Sequence, residues 1–273
     1  MTGGIERIVV ALDAASENRT AITTAARLAA RWKAHLHGVF VEDDDLIRLA
    51  HLPFARQVTL GFGIETLSLQ QARRQMRAFA ERARHELAAA ARRYQVEWSF
   101  EIAHDAAAGR IAAVQITDFL VFGTATRPIG GHFRVERRWW SVVEPGSSSL
   151  LLAHSEWREG AVAVLLQDRD PVSERLVVVA AGLAEAQDGR LAVICPPGLA
   201  NSPEFKTWLD NCLAGLPVTV EVDLSSMEPA ALIRRLVELD CRLVALASGT
   251  PQAQSERLRE LVAKVACDVL VVR

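Results

Sequence analysis

Ile8-Val9-Val10-Ala11-Leu12-Asp13 is an apolar run closed by a carboxylate, and Ala161-Val162-Ala163-Val164-Leu165-Leu166, with Asp168 close behind, repeats the figure. A shift of 155 positions then superposes two stretches without a gap. Asp13 falls on Asp168, Ala26 on Ala181, Leu28 on Leu183, Ala29 on Ala184, Leu36 on Leu191 and Val39 on Ile194. Each unit also closes on an apolar run, Leu150-Leu151-Leu152-Ala153 in one and Val269-Leu270-Val271-Val272 in the other. A repeat this long is one domain used twice, not a short-period solenoid. Continuous apolar runs, unlike alternating ones, belong to strands buried on both faces, as in parallel sheets covered by helices on each side. The expected architecture is α/β, in two tandem domains, 1–156 and 157–273.

The pattern between these runs supports that reading. After Asp13, the capping residues Ser16 and Asn18 precede Ala21, Ile22, Ala25, Leu28, Ala29 and Trp32, which recur at helical spacing. Leu36 to Val41 is a second strand, and strand, helix and strand of these lengths make a right-handed crossover. Ser68-Leu69-Gln70-Gln71 reads as a capping box for a long helix, with a stripe of Leu69, Ala72, Met76, Phe79, Ala83, Leu87, Ala90 and Tyr94. Its other face is rich in arginine, from Arg73 to Arg93. It serves either as a docking face for an acidic partner or, more commonly for such a pattern, as a solvated face with i,i+4 charge pairs. Val96–Ile102 is predicted as a strand, 110–116 as a short helix, and Phe119–Phe122 as a strand ending at Gly123. The second unit runs through the same order in shorter form, with strands at Val162–Leu166, Leu191–Ile194, Val218–Val222, Leu243–Leu246 and Val269–Val272. Much of the extra length of the first unit lies between Val41 and Ser68. That stretch reads as a lid over the sheet's carboxyl edge or as an apolar flap covering core.

Composition removes several classes of function. Across 273 residues the net charge is −2, without the basic excess of a dedicated nucleic-acid binder. No apolar stretch approaches the roughly 20 residues needed to cross a bilayer. Met1-Thr2-Gly3-Gly4-Ile5-Glu6 lacks the order of a secretory signal, so a cytoplasmic protein is expected. Cys195, Cys212, Cys241 and Cys267 form no close pair and read as reduced, mostly buried thiols.

An apolar strand ending in Asp, an Ala-rich helix, a strand entering Val41-Glu42-Asp43, a strand Phe119-Leu120-Val121-Phe122-Gly123, and a closing Cys267-Asp268-Val269-Leu270-Val271-Val272 together resemble the universal stress protein (UspA-like) family, of the tandem type. The resemblance covers almost the whole chain, once per half. It implies a Rossmann-like domain with a five-stranded parallel sheet in each half, and a binding or regulatory role in bacterial stress response. It further implies pairing of the last strands, here Leu150–Ala153 with Val269–Val272, as an intramolecular pseudo-dimer. A homodimer of tandem chains is a further option.

Members of that family that bind ATP place an Asp at the end of the first strand, and follow the fourth strand with Gly-x-x-Gly, nine residues, then Gly-Ser or Gly-Thr. Those glycines let backbone N–H groups wrap closely around phosphates. The resemblance puts Asp13, Val41, Gly123, Arg127 and Gly130 at a nucleotide position. The phosphate loop departs from the pattern: with Gly130 on the second glycine, Arg127 stands on the first, Trp140 on the third and Ser141 on the final serine. Gly249 to Glu256 in the second half holds no glycine pair at all. The motif is degenerate in both halves, so no cofactor is expected, with ATP or AMP as the alternative ligand and slow ATPase turnover as the alternative activity. Arg127 could meet a phosphate directly. Arg134, Arg137 and Arg138 beside Trp139-Trp140 suggest either an altered anion site or a loop whose tryptophans cover the sheet edge.

Other chemistry is sparse. His35 and His37 lie two apart on a strand and share a face, but no third ligand is identifiable nearby, so no metal site is expected. Ser147-Ser148-Ser149 lacks the Gly-x-Ser-x-Gly frame of a nucleophile elbow. No catalytic residue is assigned. The expectation is a non-enzymatic module with a small ligand or a protein partner, and with neither nucleic acid nor membrane as partner.

Overall fold

The computed structural model describes residues 5–14, 18–42, 52, 56–58, 64–66, 69–103, 118–123, 149–153, 160–185, 188–223, 228–250, 264–265 and 267–272. Twelve strands lie among them, written β1 to β12 in chain order: Arg7–Leu12, His35–Val41, Arg56–Val58, Ile64–Thr66, Trp98–Ala103, Asp118–Gly123, Ser149–Ala153, Ala161–Leu165, Arg190–Ile194, Thr219–Asp223, Cys241–Ala247 and Asp268–Val272. The helices are α1 (Asn18–Trp32), α2 (Leu69–Tyr94), α3 (Pro171–Glu185), α4 (Pro197–Ala200), α5 (Pro203–Cys212) and α6 (Pro229–Glu238).

Ten of the strands form one sheet in the order β10-β9-β8-β11-β12-β7-β6-β1-β2-β5. Its two halves repeat one winding. β1, β2 and β5 run outward in sequence, after which the chain returns to place β6 and then β7 on the other side of β1. β8, β9 and β10, then β11 and β12, do the same. Neighbours within each half are parallel, as buried strands joined by helical crossovers must be. The halves meet where β12 pairs antiparallel with β7, in the register Val269↔Leu152, Leu270↔Leu151 and Val271↔Leu150. This is the pairing of closing strands that the resemblance implied, and it removes two open sheet edges at once.

The apolar runs have the burial that continuity requires. Ile8, Val10 and Leu12 pack into one layer and Val9 and Ala11 into the opposite one, all nearly excluded from solvent. The first layer lies beneath α1, α2, α3 and α5 and is continuous across the seam. Leu151 and Ala153 of β7 and Leu270 and Val272 of β12 share it with residues of α1 and α3. Trp32, at the end of α1, meets Phe119 edge to face at 5.1 Å, and Arg31 forms an ion pair with Glu185 of α3.

Several local expectations are refined. The buried stripe of α2 is Ala72, Met76, Ala80, Ala83, Leu87 and Ala91, so Ala80 takes the place expected of Phe79, which is 39% exposed. The strand expected from Val96 is Trp98–Ala103, because Gln95 and Val96 still donate their N–H groups back to the Arg92 and Ala91 carbonyls of α2. Within the stretch read as a lid or flap, β3 and β4 form an antiparallel hairpin of their own. The helix expected at 110–116 and the expected cap Ser68 lie outside the described residues.

Candidate functional site

Parallel α/β sheets bind ligands at the carboxyl ends of strands where the winding reverses, because the helices diverge there and leave a crevice. In the first half that point lies between β1, which leads on to β2, and β6, to which the chain returns. The register aligns Ala11 with Val39 of β2 and with Phe122 of β6. Asp13, Val41 and Gly123 therefore stand side by side at the ends of three adjacent strands. Val41 is 9% exposed, while Asp13 and Gly123 are half-buried. Arg127 and Gly130, the other two expected site residues, lie outside the described residues.

Asp13 is held from its backbone. Asn18, the first residue of α1, donates its amide Nδ2 to the Asp13 carbonyl at 2.6 Å and accepts the Asp13 N–H on Oδ1 at 3.2 Å. This clamp satisfies both main-chain groups of Asp13 where the ladder ends and ties the strand to the helix start.

The equivalent place in the second half is arranged differently. Shifted by the repeat distance, Asn18 corresponds to Ser173, whose Oγ donates to the Asp168 carboxylate at 2.7 Å. That same carboxylate oxygen accepts the Asp170 N–H at 3.3 Å, and Asp170 in turn caps α3 by accepting the Ser173 N–H at 2.7 Å. Beyond β9, Cys195 and Pro196 lead directly into α4. Beyond β11, Thr250 donates its hydroxyl to the Ala247 carbonyl at 2.8 Å and closes the turn. The Asp168 carboxylate is thus engaged in organising a helix start.

A second polar group occupies the other end of the first half. His35 and His37 do share a face of β2, and both rings reach Ser99 of β5. His35 Nε2 lies 2.7 Å and His37 Nδ1 2.8 Å from the Ser99 hydroxyl. Glu101, two residues along β5, brings Oε1 to 3.7 Å from His37 Nε2. Burial pushes His37 below the ordinary imidazole range. Glu101 pulls it up, and Arg7 on the neighbouring strand adds to the lowering. Sequence reasoning found the two histidines and missed Ser99 and Glu101, which lie more than 60 residues away and come alongside through strand pairing. Among the described residues no three His, Cys, Asp or Glu side chains converge as a metal cluster.

The four cysteines are free thiols, three of them buried. Among the described residues no helix is long and apolar enough to cross a membrane.

Solved structures share this winding along nearly the full chain. A universal stress protein from Archaeoglobus fulgidus DSM 4304 matches with a TM-score of 0.64 over 98% of this chain and 96% of its own, at 12% identity. This is the universal stress protein fold. A second structure with that fold, a proposed universal stress protein from Pseudomonas aeruginosa UCBPP-PA14, matches at TM-score 0.58 and 14% identity, covering 97% of this chain and 92% of its own. A functionally unknown protein from Pseudomonas aeruginosa PAO1 matches almost equally, at 0.57 and 14%. No protein-family model and no curated protein sequence matches the chain. The universal stress protein fold is therefore legible here in the winding, at identities where residue-by-residue likeness has faded.

Proposed function

We propose that this chain is a tandem universal stress-type protein, with halves 1–156 and 157–273 joined as an intramolecular pseudo-dimer, and that it acts by binding and regulation without catalysis. The observation that carries this reading is the fate of the paired aspartates. Asp168 spends its carboxylate on the start of α3, and its half lacks motif glycines after β11. In the first half Arg127 and Trp140 stand where the family's phosphate cradle needs glycine. Side chains there obstruct the close backbone approach on which phosphate binding depends. The ligand would be a small molecule or a protein partner at the first half's carboxyl edge.

A second reading has one specific observation in its favour. Asp13, Val41 and Gly123 come together at the winding reversal of the first half, the place where a nucleotide would sit. An ATP- or AMP-binding protein with slow ATPase turnover would use that point. Thermal melting with and without millimolar ATP separates the two. A ligand at about 100 times its Kd stabilises by roughly 2.7 kcal/mol, a shift of several degrees. The first reading expects no ATP shift and no nucleotide in a mass spectrum of the native protein. An ATP shift abolished by Asp13→Ala would replace it with the second.

A further inference from the structure

We propose that His35 and His37 chelate a divalent late transition metal of the Cu2+ class at the amino end of β2, with Ser99 and Glu101 of β5 completing its surroundings. Two histidines two positions apart on a strand point to the same side, and here their rings also converge. Nε2 of His35 and Nδ1 of His37 approach the same hydroxyl oxygen, at 2.7 and 2.8 Å. A hydroxyl has a single hydrogen to donate, so at least one of the two rings must turn an N–H toward Ser99. A cation between the rings uses the lone pairs of both, with Ser99 displaced slightly or retained as a weak oxygen donor.

Glu101 has the place of an outer carboxylate. Its Oε1 lies 3.7 Å from His37 Nε2, the ring nitrogen turned away from Ser99. A carboxylate at that separation favours, through its charge, the tautomer with its proton on the far nitrogen, which leaves the near one available for the metal. Two imidazoles and a neutral hydroxyl are poor ligands for Mg2+ or Ca2+, which demand several oxygens. They suit Cu2+ best in the divalent series. The His37 ring keeps 16% of its exposure, so the cation and its waters can reach the site from solvent.

The test is titration of the full chain with Cu2+ alone, read by calorimetry and by the nitrogen couplings in the Cu2+ paramagnetic resonance spectrum. One ion per chain is expected at this site, with two nitrogen couplings. His35→Ala and His37→Ala should each remove one coupling and weaken binding by more than the roughly 10- to 100-fold typical of outer-shell changes, and Glu101→Gln should fall within that range. His85→Ala, on the exposed face of α2, should leave binding unchanged, and Mg2+ should not compete. Cu2+ binding that is absent in the native chain, or unaltered in both His35→Ala and His37→Ala, overturns the proposal. Should those variants not fold, nuclear magnetic resonance of the intact protein decides. Substoichiometric Cu2+ must broaden the His35 and His37 ring signals before those of the other histidines, and the reverse order overturns the site.

Discussion

Asn18 and Gly38 show how single side chains, or the lack of one, set the geometry of the first half, at the end of β1 and in the middle of β2. Asn18→Ala removes both bonds to the Asp13 backbone and leaves two main-chain groups to find water. A loss of about 1 kcal/mol is expected, as for helix-start residues generally, read as a lower urea midpoint. At Gly38 an added Cβ would lie 2.5 Å from Leu87 Cδ2 and 3.1 Å from Phe100 Cδ2. Leu87 is fully buried and cannot swing clear. Gly38→Ala should therefore cost about 1–3 kcal/mol through overpacking. Combining it with Leu87→Ala should return a coupling energy in a double-mutant cycle, and strict additivity would refute the clash.

The thiols make a pH prediction at the same scale. Burial pushes Cys212 up to about 11 and Cys241 up to about 12, and raises Cys195 and Cys267 as well. A thiol raised above its unfolded value of 9.0 holds its proton longer in the folded state. Its contribution to stability is complete below the unfolded value and is lost as pH rises from there toward the folded one. The native chain should thus react slowly with a thiol reagent at pH 8, and all four cysteines should react in denaturant. Cys241→Val should lose less stability than the native chain between about pH 9 and 11.

Among the elements, α2 and the closing strands carry the most information. The outer face of α2 holds the surface pairs Arg82–Glu86 at 3.1 Å and Arg84–Glu81 at 3.9 Å. Exposed pairs of this kind contribute about 0.3–0.5 kcal/mol each, so the face is chiefly solvated and the helix is held by its stripe of small residues. The β7–β12 seam is different in kind. Leu151 and Leu270 face one another there with no exposure to solvent. Leu151→Ala should cost about 2–5 kcal/mol, checked by chemical denaturation, because the cavity opens where neither half can close it alone.

For the molecule as a whole, a ten-stranded sheet and one apolar layer running beneath α1 and α3 join the two copies. Separate cores would melt separately, whereas a shared one couples the halves. A single calorimetric transition is expected, with the calorimetric and van't Hoff enthalpies equal; two resolved transitions would show that the seam does not couple them.

Much of this could be read along the chain. The uninterrupted runs at Ile8–Leu12 and Ala161–Leu166 announced strands covered on both sides, and the repeat announced two copies of one winding, because burial on both faces leaves no room for polar alternation. The places of Asp13, Val41 and Gly123 at strand ends could be read in the same way, since each closes such a run; a nucleotide beside them is what the family resemblance alone implied. Folding alone settled what depends on partners distant in sequence. Ala80 rather than Phe79 faces the core because α2 lies against α1, β2 and β5, and those distant elements decide which of its sides is covered. Ser99 and Glu101 join His35 and His37 because parallel pairing of β2 with β5 brings together residues whose separation along the chain carries no trace of it. Asp168 differs from its twin Asp13 because the residues that grip each one, Ser173 and Asn18, offer different hydrogen-bonding groups at the same step of the repeat.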